Sequence, residues 1–239
     1  MKNAIFSYKN NGRESGTMLL AELMNIQRGA TAIIGGGGKT TMMYTLAREL
    51  EKEHSVAVMT TTHIAVPRHI PTLLNPTEED ARLLIKKGRA VCIAKLGEKK
   101  KLCPSDVAAE KLCEMAEYVI IEADGSRGLP FKAHLDYEPV IPQCAKDTIL
   151  VIGMSGMGKR VKEAAHRTEK YCQLGQCKAE DSITPETAAR VANAEGLHTK
   201  AFLNQMDAAK AGQAEELARL LNTKVYGGAL MKGEWRCLC

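Results

Sequence analysis

Ile33-Ile34-Gly35-Gly36-Gly37-Gly38-Lys39-Thr40-Thr41 is the stretch on which the fold turns. An apolar run, Thr31–Ile34, leads into consecutive glycines. These lead into Lys39–Glu51, where Met43, Leu46, Ala47 and Leu50 recur at helical spacing. Strand, glycine loop and helix in that order form an anion cradle. Glycines let backbone N–H groups converge without interference from Cβ atoms, and the helix adds the positive end of its dipole. At such a loop Lys39 would pair with the β- and γ-phosphates of a nucleoside triphosphate, and the Thr40 hydroxyl would bind Mg2+. Gly35, Gly36, Gly37, Gly38, Lys39, Thr40 and Thr41 are therefore the candidate nucleotide-binding residues, for ATP or GTP with magnesium.

A second glycine-rich loop competes for this role. Gly153-Met154-Ser155-Gly156-Met157-Gly158-Lys159 has the full glycine spacing of the longer phosphate loop, whereas the first stretch has Ile33 where that form has a glycine. The residue after Lys159 is Arg160, which cannot ligate a cation. The first loop instead resembles the shorter G-x-x-G-K-T form of Mur-type ligases and folylpolyglutamate synthetases. Chemistry selects the first loop; the second reads as a turn lining the site or as a decoy.

Outward from the glycines, short apolar runs alternate with helical patterns. Strands are expected at Thr31–Ile34, Ser55–Met59, Ala90–Ala94, Tyr118–Ile121, Thr148–Ile152 and Lys200–Leu203. Helices are expected at Lys39–Glu51, Glu78–Lys87, Ser105–Ala116, Val161–Cys172, Pro185–Glu195 and Ala208–Leu221. The expected class is α/β and P-loop NTPase-like, a largely parallel sheet with helices on both faces. Residues 1–29 read as a lead-in with a short helix near Met18–Met24, and residues 30–239 as a single nucleotide-binding domain. Glu98–Lys101 reads as a solvated loop. Gly125–Asp147 has no period and holds Pro130, Pro139 and Pro142, the mark of a functional or mobile segment.

Three strand ends carry further candidates. Thr60-Thr61-Thr62-His63 follows an apolar strand. Thr61 is a candidate metal ligand, and Thr62 and His63 are candidate γ-phosphate sensors; β-propensity accounts for the threonines equally well. Tyr118–Ile121 runs into Glu122-Ala123-Asp124-Gly125. Carboxylates at an apolar strand end suit the magnesium half of a P-loop site, one holding metal, assigned to Glu122, and one orienting water. Glu122 and Asp124 are the candidate catalytic pair. Arg127 and Lys132 follow closely as possible phosphate or switch residues, and Asp124 or His134 could activate an acceptor. Finally, Asn204-Gln205-Met206-Asp207 reads as N-x-x-D. Asn204 and Asp207 either contact the nucleobase, with Gln205 in place of the lysine that GTPases carry, or close a strand and cap a helix.

Composition narrows the field. The chain has 239 residues, a formal net charge of +5 and only 4% aromatic residues. Basic stretches interleaved with aromatics are missing, which argues against nucleic-acid binding. No apolar run approaches a membrane span and no secretory leader is evident, so a cytoplasmic location is expected. The eight cysteines, Cys172 with Cys177 and Cys237 with Cys239 among them, lack zinc-knuckle spacing and read as thiols.

These pieces in this order resemble the YqeC family. The likeness rests on Gly35–Thr41, on Thr60–Ile64, on the block from Glu122 to Lys132, and on Glu138-Pro139-Val140-Ile141-Pro142. It continues through Gly156-Met157-Gly158-Lys159, His166-Arg167 and Leu203–Asp207. The resemblance implies an accessory role in maturing a selenium-dependent molybdenum hydroxylase, hence a protein partner, with nucleotide hydrolysis as the chemistry. The residues themselves leave open an ATP-dependent small-molecule kinase or ligase, or a nucleotide sensor without turnover.

Overall fold

The computed structural model describes residues 18–67, 69–97 and 101–238. In chain order the strands are β1 (Gly29–Gly35), β2 (Val56–Thr60), β3 (Ile64–Ala65), β4 (Thr72–Leu74), β5 (Val91–Leu96), β6 (Lys101–Cys103) and β7 (Tyr118–Glu122). They continue with β8 (Phe131–Lys132), β9 (Ala145–Gly153), β10 (Ala165–His166), β11 (Lys200–Asn204), β12 (Lys224–Ala229) and β13 (Glu234–Cys237). The helices are α1 (Leu20–Leu23), α2 (Lys39–Leu50), α3 (Glu78–Ile85), α4 (Ala109–Cys113), α5 (Val161–Ala164), α6 (Thr168–Gly175), α7 (Pro185–Glu195) and α8 (Gln213–Leu220).

The main sheet runs β13-β12-β11-β9-β1-β7-β2-β5-β6-β3, with β4 on β5. From β12 to β5 every pairing is parallel, and β13, β6 and β3 close the two edges antiparallel. Side chains alternate across β1, which decides what covers each face. Ile33 packs with Met42, Met43 and Leu46 of α2, while Ala32 and Ile34 pack with residues of α5 to α8. Ala30 joins Ala81 and Ile85 of α3 and Leu112 of α4. Each fully buried Ile, Leu or Met side chain among these contributes about 1.5–3 kcal/mol. The fold is α/β, a largely parallel sheet with helices on both faces. Among the described residues no helix is long and apolar enough to cross a membrane.

All six expected strands are present, and α7 begins as expected, with Pro185 in its first turn and Thr184 accepting from the Thr187 N–H. Several boundaries are corrected. The helix expected over Val161–Cys172 is broken because Ala165–His166 pairs with Phe131–Lys132 and Arg167 takes the left-handed region at φ 61°. The helix expected over Ser105–Ala116 shrinks to α4, since the Ser105 hydroxyl captures the Val107 N–H in a turn. α8 starts only at Gln213, after left-handed Gly212. β12 was hidden in the sequence because Gly227 and Gly228 interrupt its apolar pattern, and β13 because its four residues, Glu234–Cys237, form no apolar run. In the expected lead-in, Leu20 and Met24 are buried in the same cluster as Met43 and Leu46. Residues 98–100 of the expected solvated loop, residues 1–17 and Cys239 lie outside the described residues.

Candidate nucleotide-binding site

The glycine loop leaves the carboxyl end of β1, where open parallel sheets gather ligands. Gly35, Gly37 and Gly38 have φ of 96°, 76° and 141°, a region side chains disfavour. A Cβ at Gly37 would collide with the backbone of Gly153, and one at Gly38 with the side-chain amide of Asn204. The loop is tied down on three sides. The Gly35 N–H donates to Asp124 Oδ2 at 3.0 Å, the Gly36 N–H to the Val151 carbonyl at 2.8 Å, and Asn204 Nδ2 to the Gly37 carbonyl at 2.7 Å. α2 has no side-chain cap, and Met42 donates to the Gly38 carbonyl, so the preceding N–H groups are those a helix start leaves without intrahelical partners. Lys39, buried at 4% exposure, donates from Nζ to the Gly35 carbonyl at 2.6 Å.

Alternation along β7 puts Glu122 on the same face as Tyr118 and Ile120, the face covered by α2. There Thr40 Oγ1 donates to Glu122 Oε2 at 2.7 Å. Burial raises the Glu122 pKa, opposed by Lys39 and by the Thr40 hydrogen bond. A hydroxyl and a buried carboxylate, both hard oxygen donors and in contact, fit magnesium. Thr60 Oγ1 donates to the Glu122 carbonyl and accepts from the Thr62 N–H, so it braces the strand end. Thr61 is turned away from this pair: its hydroxyl donates to the Val140 carbonyl at 3.1 Å. Thr62 Oγ1 lies against Gly125, and His63 is exposed.

Asp124 sits in a cage of cations. Its Oδ2 lies 3.1 Å from Lys132 Nζ and 2.7 Å from His134 Nε2, and its Oδ1 lies 3.3 Å from Lys39 Nζ. Oδ1 is at ion-pair distance from Lys39 without hydrogen-bond geometry, and among the described residues it has no hydrogen-bond partner. Burial acts to raise the Asp124 pKa, but His134, Lys39 and Lys132 outweigh it and hold the carboxyl well below its usual range. His134 Nδ1 faces Glu195 Oε2 at 2.9 Å. With a carboxylate at each ring nitrogen, the ring satisfies both only when doubly protonated. Burial opposes that charge, yet the hydrogen bonds to Asp124 and Glu195 raise the His134 pKa. Lys132 also donates to the Gly125 carbonyl at 2.7 Å and to Glu138 Oε2 at 2.8 Å, and Arg167 Nε donates to Glu138 Oε1 at 2.7 Å.

Gly125–Asp147, expected to lack structure, is therefore clamped in its middle. Phe131, Lys132, Ala133 and His134 are buried, and β8 pairs with β10. Arg127, in contrast, is exposed in the left-handed region. The second glycine loop lines the first. The Gly153 N–H donates to the Pro130 carbonyl, and a Cβ on Gly153 would press on Gly37 and Pro130. Its glycine is thus required by close backbone packing. Asn204 holds the loop and, through Oδ1, the Leu230 N–H at 3.1 Å, so both ends of its amide are engaged. Asp207 lies away from it, paired with Lys232 at 2.7 Å on the surface. Glu195, at the end of α7, completes the cluster without any signal in the sequence, where it reads as an ordinary helix-end residue.

The family model described as YqeC protein matches residues 31–169. "Uncharacterized protein YqeC" of Escherichia coli (strain K12) is 28% identical over 173 residues, which span 68% of this chain and 64% of that protein's length. Among solved structures, hydrogenase maturation factor HypB from Archaeoglobus fulgidus superposes with a TM-score of 0.40 at 11% identity, covering 87% of this chain and 84% of that one. HypB from Helicobacter pylori, in complex with nickel, gives 0.39 at 12% identity, covering 89% and 84%. The family match takes in more than half of the chain, with the glycine loop, both carboxylates and the clamped segment inside it, and the chain belongs to the YqeC family.

Proposed function

We propose that this protein binds a nucleoside triphosphate with magnesium on Gly35–Thr41 and hydrolyses it, acting as an accessory NTPase in maturation of a selenium-dependent molybdenum hydroxylase. The observation that carries the nucleotide reading is the contact between Thr40 and Glu122 at 2.7 Å, beside a buried Lys39. Thr40 and Glu122 would hold magnesium, which when bound neutralises charge on the β- and γ-phosphate oxygens. Lys39 now balances Asp124 and the Gly35 carbonyl; its ammonium would turn to the phosphates. Asp124, fixed as an anion by three cations, is a poor proton acceptor. Its work is to hold the Gly35 N–H and to keep Lys39 at the loop. His134 and Lys132 position Asp124.

The partner reading draws on the family and on the surface of the clamped segment. Tyr137 and Val140 are 67% and 53% exposed, on the stretch whose inner side holds Lys132. Nucleotide state would reach a partner through this segment, residues 125–141, by way of Gly125 and Thr61. Phosphate release from Mg-ATP and Mg-GTP tests the chemistry. Glu122→Gln should raise the magnesium needed for half-maximal turnover by at least the 10–100-fold typical of losing an outer-shell partner. Turnover and magnesium dependence that match the wild type would remove Glu122 from the site and overturn the reading.

A further inference from the structure

At the opposite end of the sheet from the glycine loop, two cysteines far apart in sequence meet. Cys113 is the last residue of α4, and Cys144 immediately precedes β9. They are 31 positions apart, and their Sγ atoms lie 3.6 Å from each other, in van der Waals contact. Both are free thiols and both are partly accessible. We propose that Cys113 and Cys144 are a modification site, an intramolecular disulfide formed reversibly by exchange with a small-molecule disulfide such as oxidised glutathione.

Bond formation must bring the sulfurs from 3.6 Å to about 2.05 Å. The sulfurs sit at places that yield: the C-terminal end of a short helix and the last residue of a loop. The ring so closed would contain β7, Glu122, Asp124, Lys132, His134 and Glu138, every residue of the carboxylate cluster but Glu195 and Arg167.

The chemistry is a double exchange. The Cys113 thiolate attacks one sulfur of oxidised glutathione, forming a mixed disulfide and expelling one glutathione thiolate. The Cys144 thiolate then attacks the Cys113 sulfur and expels the second glutathione. Two protein thiols are oxidised, the glutathione disulfide is reduced to two thiols, and the protein's two protons pass to the departing thiolates through solvent. The two exchanges balance equally with either thiol first. Burial raises both thiols and Glu110 adds to it at each, while the contact with Cys144 and the charge of Lys146 act to lower Cys113, so the reaction at neutral pH is slow.

The test uses the full chain held in oxidised glutathione, alkylated, and read by intact mass and peptide mapping. The expected result is a monomer carrying two fewer alkyl groups than the reduced chain, with a Cys113–Cys144 cross-linked peptide, restored by dithiothreitol and lost in both Cys113→Ser and Cys144→Ser. Hydrogen exchange across residues 118–142 should be slower in the oxidised form. Cys113 and Cys144 both remaining alkylatable, a mixed disulfide that never resolves, or a Cys172–Cys177 link in their place would each overturn the proposal. None of these readouts involves nucleotide, so the outcome is independent of the hydrolytic reading.

Discussion

Lys132→Met should be among the most destabilising single changes in this protein. The ammonium is fully buried, with Asp124 Oδ2 at 3.1 Å, Glu138 Oε2 at 2.8 Å and the Gly125 carbonyl at 2.7 Å. Methionine keeps most of the volume, so the packing of the stem is retained. What is lost is the charge between two carboxylates whose own exposures are 0% and 12%. Removing one partner of a buried ion pair costs about 3–5 kcal/mol, because the remaining charge stays desolvated. For a domain of this size 1 kcal/mol moves the thermal midpoint by roughly 2–4 °C, so the drop should be on the order of 6–20 °C. Lys111→Met is the matched control. Lys111 pairs with Glu114 at 3.1 Å, but both side chains are about half exposed, and its loss should stay within about 0.5 kcal/mol. Denaturant unfolding followed by the fluorescence of Trp235 gives both numbers, provided the transition is two-state. If Lys132→Met and Lys111→Met cost the same, the cation cage around Asp124 is not the stabilising element described.

Further expectations concern pH and the base. The folded pKa of His134 is raised, so its contribution is fully present below the unfolded value near ~6.5 and is lost as pH rises through the folded value. Asp124 has the opposite sign: its contribution is present above about pH 4 and is lost only as pH falls towards its depressed folded value. Denaturation midpoints between about pH 6 and pH 9 should therefore decline more in wild type than in His134→Gln; parallel curves would show that the ring is not charged in the fold. Asn204→Ala frees the Gly37 carbonyl and the Leu230 N–H together, and should weaken triphosphate binding several-fold for ATP and GTP alike. Asp207→Ala, at a surface ion pair, should leave the thermal midpoint unchanged. A change in ATP-versus-GTP preference on titrating Asp207→Ala would return Asp207 to the nucleobase.

The sequence made the backbone of the site legible because each part follows from a local rule. The glycines announce a turn that side chains cannot enter, the period of α2 follows directly, and an apolar strand ending in Glu122 has few other uses. The second loop was resolved by the same logic, since Arg160 cannot serve a metal; the structure adds that Gly153 is a packing glycine. What remained hidden depends on tertiary contact. Lys132 read as a possible phosphate or switch residue because nothing local shows that Asp124 and Glu138 close on it. Thr61 and Asn204 stand at strand ends suited to ligand contact, yet their polar groups are engaged by Val140, Gly37 and Leu230. Helix expectations failed where a backbone override has no composition signal, as at left-handed Arg167.

The measurement that bears most directly on the central claim is equilibrium binding of a labelled, non-hydrolysable triphosphate in magnesium, compared across wild type, Lys39→Ala and Lys159→Ala. Lys39 is the buried lysine at the start of α2, and losing its charge-assisted contact should cost ~1.5–3 kcal/mol, a roughly ten- to hundredfold weaker Kd. Lys159, exposed on the loop that packs behind the glycines, should change the Kd by less than about twofold. Equal losses at the two lysines, or a larger loss at Lys159, would contradict the assignment of the nucleotide to Gly35–Thr41.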